Sequence, residues 1–354
     1  MWLYNLGISL YAGGIRLAAL WHGKARLWSE GRRNIFERME AAVRPSDRIV
    51  WVHAASLGEF EQARPIIERL RAEHPEYKIL LTFFSPSGYE IRKNYEGADY
   101  VFYLPADTPS NARRFLDIVH PEIAIFIKYE FWINLLSELR RRKVRSYIVS
   151  AIFRRNSVFF RPYGAMWRQA LETFDTLFVQ NVESKRLLSE IGFDNVVVAG
   201  DTRFDRVAQI AAAAQRVETI ERFRGGGRLF VAGSTWGPDE EILLPLVNAN
   251  PDVKFVIAPH EMDEGRIAHL MRNAKGGAVR YTQCDAATRF DDVQVLVLDT
   301  MGMLSSVYGS ATWAYVGGGF GVGIHNTLEA ATFGLPIAFG PNSVSYTHLR
   351  AHET

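Results

Sequence analysis

From residue 49 onward the chain alternates short apolar, β-branched runs with stretches of helical periodicity. IVWVHA (49–54), KILLTFF (78–84), EIAIFI (122–127), RSYIVSA (145–151), TLFVQ (176–180) and NVVVAG (195–200) read as buried strands. Between them, segments such as 59–73, 108–119 and 132–142 space their apolar residues as helices do. Alternation of this kind predicts a parallel sheet with helices on both faces. Around GDTRFDRV (200–207) the rhythm breaks, and a polar helical stretch and Gly225-Gly226-Gly227 follow. A second series then runs through RLFVAG (228–233), KFVIAP (253–258), VQVLVLD (293–299), ATWAYVG (311–317) and LPIAFG (335–340). The pattern therefore predicts two doubly wound α/β domains with a hinge near 203–227. Ligands of such sheets sit at the carboxyl ends of the strands.

The two ends of the chain depart from this pattern. Residues 2–21, WLYNLGISLYAGGIRLAALW, are about long enough to cross a bilayer core. Trp2 and Trp21 flank the segment as interfacial aromatics do, while Asn5 and Arg16 oppose a full span. His22, Lys24, Arg26, Arg32 and Arg33 follow, and positive charge there favours a cytoplasmic body. With no small-residue cleavage site, residues 1–25 are expected to be a retained membrane-anchoring segment, spanning or lying on the surface. The competing reading is a helix packed into the first domain. Beyond it, domains are expected over 26–205 and 206–342. The terminal SVSYTHLRAHET has no apolar periodicity, so 343–354 is expected to be a non-native tail on an incomplete second domain, leaving this chain unstable or poorly active.

Composition narrows the classes. The 354 residues are 48% hydrophobic and 23% charged, with net charge +2, which speaks against nucleic acid as a partner. The single cysteine, Cys284, excludes an internal disulfide framework.

Four strand-end constellations carry candidate chemistry. In Trp51-Val-His53-Ala-Ala-Ser56-Leu-Gly58-Glu59 a helix is expected to start near Gly58 or Glu59. A carboxylate in that first turn feels the positive end of the helix dipole, which favours the ionised form a general base needs. Helix capping explains the same residues, and a nucleophile elbow around Ser56 is the rival catalytic reading. Lys128-Tyr-Glu130-Phe-Trp132-Ile-Asn134 places polar and aromatic groups at another strand end. Gly233-Ser234-Thr235-Trp236, followed by Asp239-Glu240-Glu241, is a small polar turn entering a helix, suited to phosphate or to simple capping. The most informative run is Tyr315-Val-Gly317-Gly318-Gly319-Phe-Gly321-Val-Gly323-Ile-His325-Asn326-Thr-Leu-Glu329. Its five glycines in seven residues offer bare backbone donors before a helix, whose first turn is expected to hold His325, Asn326 and Glu329. The acidic residue of a dinucleotide fingerprint is missing, since 338–342 reads AFGPN. Basic runs at Arg140–Lys143 and Arg154-Arg155, beside Phe153, Phe159, Phe160 and Tyr163, suit either plain surface charge or a phosphorylated lipid. With no D-x-D run and no His/Cys ligand spacing, no catalytic metal or other cofactor is expected.

WVHAASLGE, KYEFWIN, GDTRFD, VAGSTWGPDEE, DTMGML (299–304) and YVGGGFGVGIHNTLEA, in this order, resemble the Kdo (3-deoxy-D-manno-octulosonic acid) transferases of lipopolysaccharide synthesis. The resemblance spans residues 1–342 and includes the hydrophobic N-terminal segment. It implies a GT-B fold and an inverting, metal-independent transfer of Kdo from CMP-Kdo to the lipid A precursor, at the cytoplasmic face of the inner membrane. By the same resemblance Glu59 matches the catalytic base and Glu130 a second essential acid. Gly317, Gly318, Gly319, Gly321, Gly323, His325, Asn326 and Glu329 match the nucleotide site, and Ser234 and Thr235 lie near the donor phosphate. Arg203 is placed with the donor, and Ser56, Gly58 and Lys128 with the acceptor. Arg203 stands where the family has lysine, and Ala258-Pro259-His260-Glu261 lacks the family's arginine, leaving Arg266 or Arg203 as substitutes. The alternatives are another GT-B enzyme using a UDP-sugar, transferase or epimerase, and a membrane-anchored nucleotide- or lipid-binding protein without turnover.

Overall fold

The computed structural model describes residues 1–213, 216–321 and 323–343; of the expected tail, 344–354 lie outside the described residues. The chain divides into two compact units, Met1–Arg206 and Val207–Thr354.

In the first unit seven strands form one parallel sheet: β1 (Ile49–His53), β2 (Lys78–Phe83), β3 (Tyr100–Tyr103), β4 (Ile123–Ile127), β5 (Arg145–Ala151), β6 (Thr176–Val179) and β7 (Val196–Val198). Their spatial order is β3-β2-β1-β4-β5-β6-β7. The chain thus works outward from β1 to β3, returns to the far side of β1, and continues from β4. All five residues of β1 are buried, because helices cover both faces of the sheet. Ile49 and Trp51 enter the core on one face, Val50 and Val52 that on the other. Fully burying one such side chain stabilises the fold by roughly 1.5–3 kcal/mol.

The second unit repeats the plan with β8 (Arg228–Thr235), β9 (Val253–Pro259), β10 (Ala278–Arg280), β11 (Val295–Val297), β12 (Trp313–Val316) and β13 (Ile337–Phe339). These strands are parallel, in the order β10-β11-β9-β8-β12-β13. The direction of winding reverses between β8 and β12, as it does between β1 and β4. Two strands that the apolar pattern does not announce, β3 and β10, sit at sheet edges and are only four and three residues long.

Three helices precede β1: Trp2–Ala18, Gly23–Gly31 and Ile35–Ala42. The first is 17 residues long, and no helix among the described residues is long and apolar enough to cross a membrane. The first helix is tied to its own unit. Tyr4 donates to the buried Asp107 (2.6 Å), and Asn134 donates to Asn5 (2.9 Å). Asp107 also accepts from the backbone N–H groups of Asn134 and Leu135, both at 2.9 Å, and so caps the helix Ile133–Arg142 from a distant loop. Asn5, a defect in a membrane span, is here an attachment point. Leu3, Leu6, Leu10 and Leu17 remain exposed on the same helix.

Candidate active site

In each unit the polar side chains collect where the winding reverses, at the carboxyl ends of β1 and β4 and of β8 and β12. A crevice forms there because the helices following the two strands lie on opposite faces.

In the first unit the helix Leu57–Glu73 follows β1 and begins with a capping box. Ser56 accepts from the Glu59 N–H at 3.4 Å, and Glu59 Oε2 accepts from the N–H groups of Ala55 (2.6 Å) and Ser56 (3.2 Å). Glu59 Oε1 has no hydrogen bond among the described residues. One oxygen is thus fixed and the other is available. Burial, and then the charge of Glu130, push the Glu59 carboxyl above the usual carboxylate range; His53, the Ala55 N–H and Lys128 pull the other way. A Cβ added at Gly58 would meet nothing within 4 Å, so local packing does not explain that glycine and the space beside Glu59 is open.

Glu130 follows β4 and is held by two aromatic groups. Its Oε2 accepts from Trp132 Nε1 (2.7 Å) and lies 3.1 Å from His53 Nε2. His53 is fully buried at the end of β1, opposite Thr82 in the β1–β2 register. Its Nδ1 is 2.8 Å from Thr82 Oγ1, which accepts from Trp51 Nε1 at 2.8 Å. With Glu130 ionised, one assignment gives each of these bonds a donor: Trp51 to Thr82, the Thr82 hydroxyl to Nδ1, and Nε2–H to Glu130. Lys128, at φ +63 just after β4, has its ammonium proton affinity lowered by burial and then by the charge of Arg203. Glu59, Glu130 and Lys128 therefore share one electrostatic environment with His53.

Arg203, expected to contact the donor, lies at the end of the first unit. There it binds Asp201 through Nε (2.9 Å) and Nη2 (2.6 Å), and Gln62 donates to the same carboxylate at 2.7 Å. Burial raises the Asp201 carboxyl, but the bonds and charge of Arg203 bring it below its usual range.

In the second unit the helix Gly237–Ala249 follows β8, and Asp239 takes the place that Glu59 has in the first. Its Oδ2 accepts from the N–H groups of Trp236 (2.8 Å) and Gly318 (2.9 Å), and Tyr315 donates to Oδ1. This buried carboxylate joins the turn after β8 to the glycine loop after β12. Thr235 is fully buried and donates to Glu240 at 2.9 Å, a carboxylate that Arg266 also binds at 2.6 Å. Thr235 is thus a support of the turn, while Ser234 interrupts the β8–β9 register at φ +53.

Much of the glycine loop is explained by close backbone approach. A Cβ at Gly317 would lie 2.3 Å from the Ser234 carbonyl, and one at Gly319 would lie 2.6 Å from the Gly340 amide; Gly318 has φ +91. Several amides expected to be bare are used internally. Gly317 donates to Gly233, Gly318 to Asp239, and Gly321 and Gly323 to the Gly318 carbonyl. Gly319 and Phe320 keep amides without an acceptor among the described residues. The following helix is only Leu328–Ala331, so His325 and Asn326 precede it and do not stand on its first turn. Glu329 lies within it and accepts from Ser305 (3.0 Å) and Asn326 (3.1 Å). His325 accepts from Trp236 Nε1 at 2.9 Å and stacks on His260 with ring centroids 4.3 Å apart. Burial and then His260 lower its proton affinity, so neutral imidazole is favoured.

Within their motifs His53, Asp201 and His260 carry no role legible in the sequence, Trp132 reads only as the aromatic of a strand end, and Asp239 only as an acid of the turn entering a helix. The only signal for His53 was a titratable residue closing an apolar strand. The basic runs are largely neutralised: Arg140 pairs with Glu172, Arg141 and Arg142 with Glu138, and Arg155 with Glu190. Among the described residues no group of three or more His, Cys, Asp or Glu is arranged to hold a metal ion.

Two parallel-sheet α/β units, each with its polar cluster at the strand-order reversal, are the architecture of GT-B glycosyltransferases. Solved structures agree in fold: a UDP-GlcNAc 2-epimerase from Methanocaldococcus jannaschii matches with TM-score 0.50 at 13% identity, over 82% of this chain and 83% of that one. Residues 32–206 match the family model described as 3-deoxy-D-manno-octulosonic-acid transferase (kdotransferase). The 3-deoxy-D-manno-octulosonic acid transferase of Haemophilus influenzae is 25% identical over 86% of this chain and 73% of its own length. That of Chlamydia trachomatis serovar A is 28% identical over 83% and 70%. The chain belongs to the Kdo transferase family and is a glycosyltransferase.

Proposed function

We propose that the protein transfers Kdo from CMP-Kdo to the lipid A precursor, with inversion and without a metal, at the cytoplasmic face of the inner membrane. The observation that carries the reading is the Glu59 carboxylate, held by one oxygen at the β1–β4 reversal with the other oxygen open. In this mechanism Glu59 Oε1 takes the proton of an acceptor hydroxyl. That oxygen then attacks the anomeric carbon of Kdo as its bond to the CMP phosphate breaks, through an oxocarbenium-like state. Glu130 is kept oriented by Trp132 and His53, and its charge keeps Glu59 basic. Ser56 and Gly58 shape the acceptor side, and Lys128 supplies positive charge there. In the second unit the free amides of Gly319 and Phe320 are suited to the donor phosphate, with Ser234 beside them. Asn326 and Glu329 suit ribose hydroxyls, and the Trp236–His260–His325 stack offers a flat face for a base.

Membrane attachment belongs to the same reading. The exposed Leu3, Leu6, Leu10 and Leu17 recur on one face of a helix whose opposite side is bonded to the protein, as in a helix lying in the bilayer surface. Incubation with CMP-Kdo and lipid A precursor, followed by mass spectrometry, tests the assignment. An acceptor heavier by one or more Kdo units is expected, and CMP in excess is expected to inhibit where UMP does not. An unmodified acceptor, or equal inhibition by UMP, would overturn it.

A further inference from the structure

A cavity of about 790 Å³ opens between the first three helices and the segment that follows β3. Arg16, Arg26, Arg32 and Arg33 line it, with Trp28 and Ser29. Trp28 is 5% exposed, and its Nε1 is buried with no partner among the described residues, as is Ser29 Oγ. Buried donors are ordinarily satisfied, so two orphans in one wall mark a missing acceptor. The arginines point the same way. Arg16 and Arg33 have no bonded partner among the described residues, and the one bond of Arg26 is a long 3.4 Å contact to the Ala19 carbonyl. Arg32 is clamped by the carbonyls of Trp28, Phe84 and Leu104 and stacks over the Trp28 ring at 3.9 Å, yet has no carboxylate partner among the described residues. Burial lowers its pKa to about 9, as expected of a cation without a counter-charge. Glu30 and Glu37 also border the cavity, but Glu37 is bound by Arg114, so positive charge is in excess. This contrasts with the arginine runs elsewhere in the unit, which carboxylates neutralise.

A wall of guanidinium, indole and hydroxyl donors fits a group that only accepts, and bidentate guanidinium contacts favour phosphate. Exposed apolar side chains adjoin the cavity. Leu20 lines it, and Leu17, Leu20 and Trp21 are 60%, 70% and 70% exposed on the adjoining chain. We propose that this cavity binds the phosphate headgroup of an anionic membrane lipid, its acyl chains continuing along the exposed apolar face of the first helix. The proposal rests on the surface attachment put forward above and adds to it a discrete headgroup site.

The test is co-sedimentation with vesicles of phosphatidylcholine alone or with one-fifth phosphatidic acid. It compares the unaltered chain, Arg16→Gln/Arg33→Gln, and a charge-matched control outside the cavity, Lys24→Gln/Arg145→Gln. The unaltered chain is expected to favour the phosphatidic acid vesicles. The cavity variant is expected to lose that preference by roughly fivefold per arginine, while keeping its binding to phosphatidylcholine and its melting temperature. The control is expected to keep the preference. Equal losses in both double variants would mean diffuse attraction and overturn the site, as would no preference in the unaltered chain. Millimolar inorganic phosphate provides the remaining arm. If it raises the melting temperature through Arg16 and Arg33 while the vesicle preference is absent, the occupant is free phosphate and the lipid assignment falls. Loss of binding to phosphatidylcholine vesicles by Leu6→Ser/Leu10→Ser reports on surface attachment separately.

Discussion

Replacing Glu59 by glutamine removes the charge that a base requires but keeps the shape that caps the helix. The glutamine oxygen can still accept from the Ala55 and Ser56 N–H groups, since glutamine serves the same position in capping boxes. The fold also already disfavours the charged form. A carboxyl whose pKa is raised on folding contributes stability that is full below its unfolded value and is lost as pH rises through its folded value. At neutral pH a permanently neutral glutamine is therefore expected to leave the melting temperature unchanged or slightly higher. Turnover is expected to behave differently. Positioned base catalysis is worth about 10²–10⁴-fold, which is roughly 3–5 kcal/mol of barrier at ~1.36 kcal/mol per decade. Initial rates of Kdo transfer, measured at saturating donor and acceptor, should fall by that factor with little change in donor KM. The acid limb of the unaltered enzyme's rate profile should lie above the ordinary glutamate value of about 4.3, because the base loses its charge as pH falls through a raised pKa. Glu59→Ala serves as the contrast, losing turnover and also about 1 kcal/mol for each backbone donor it releases. Turnover of Glu59→Gln within threefold of the unaltered chain would refute the role of this carboxylate.

Asp239→Ala should destabilise the second unit by about 1–3 kcal/mol for each buried donor left unpaired, Tyr315 and Gly318 among them; denaturant unfolding followed by tryptophan fluorescence measures this. Gly317→Ala forces a Cβ to within 2.3 Å of the Ser234 carbonyl, so the two strand ends must separate, and CMP affinity by calorimetry should drop at least tenfold even where the chain still folds. Tyr4→Phe removes a 2.6 Å bond to a buried carboxylate, a loss of about 1.5–3 kcal/mol; hydrogen exchange should rise over residues 2–18 with the β-sheet cores unaffected.

The order of elements and the places where polar residues stand at strand ends were legible in the chain itself. Period-two and continuous apolar runs report burial, and helical spacing reports one covered face, so strands such as Ile49–His53 and Arg145–Ala151 could be read locally. Glu59 stood out for the same reason, since capping is settled within four residues. Which strands become neighbours is not a local property, and the site depends on it. His53 meets Glu130 77 residues away only because β4 returns to the side of β1 opposite β2. Asp239 meets Gly318 79 residues away only because β12 returns beside β8. The glycine loop shows the limit most clearly. Five glycines announce a need for bare backbone, but whether that need is a phosphate or a neighbouring strand depends on what lies within 3 Å, and for Gly317 and Gly319 it is other backbone. The first helix was decided in the same way: its composition allowed a bilayer span, and the contacts of Tyr4 and Asn5 with side chains more than a hundred residues away set one face against the protein and left the other bare.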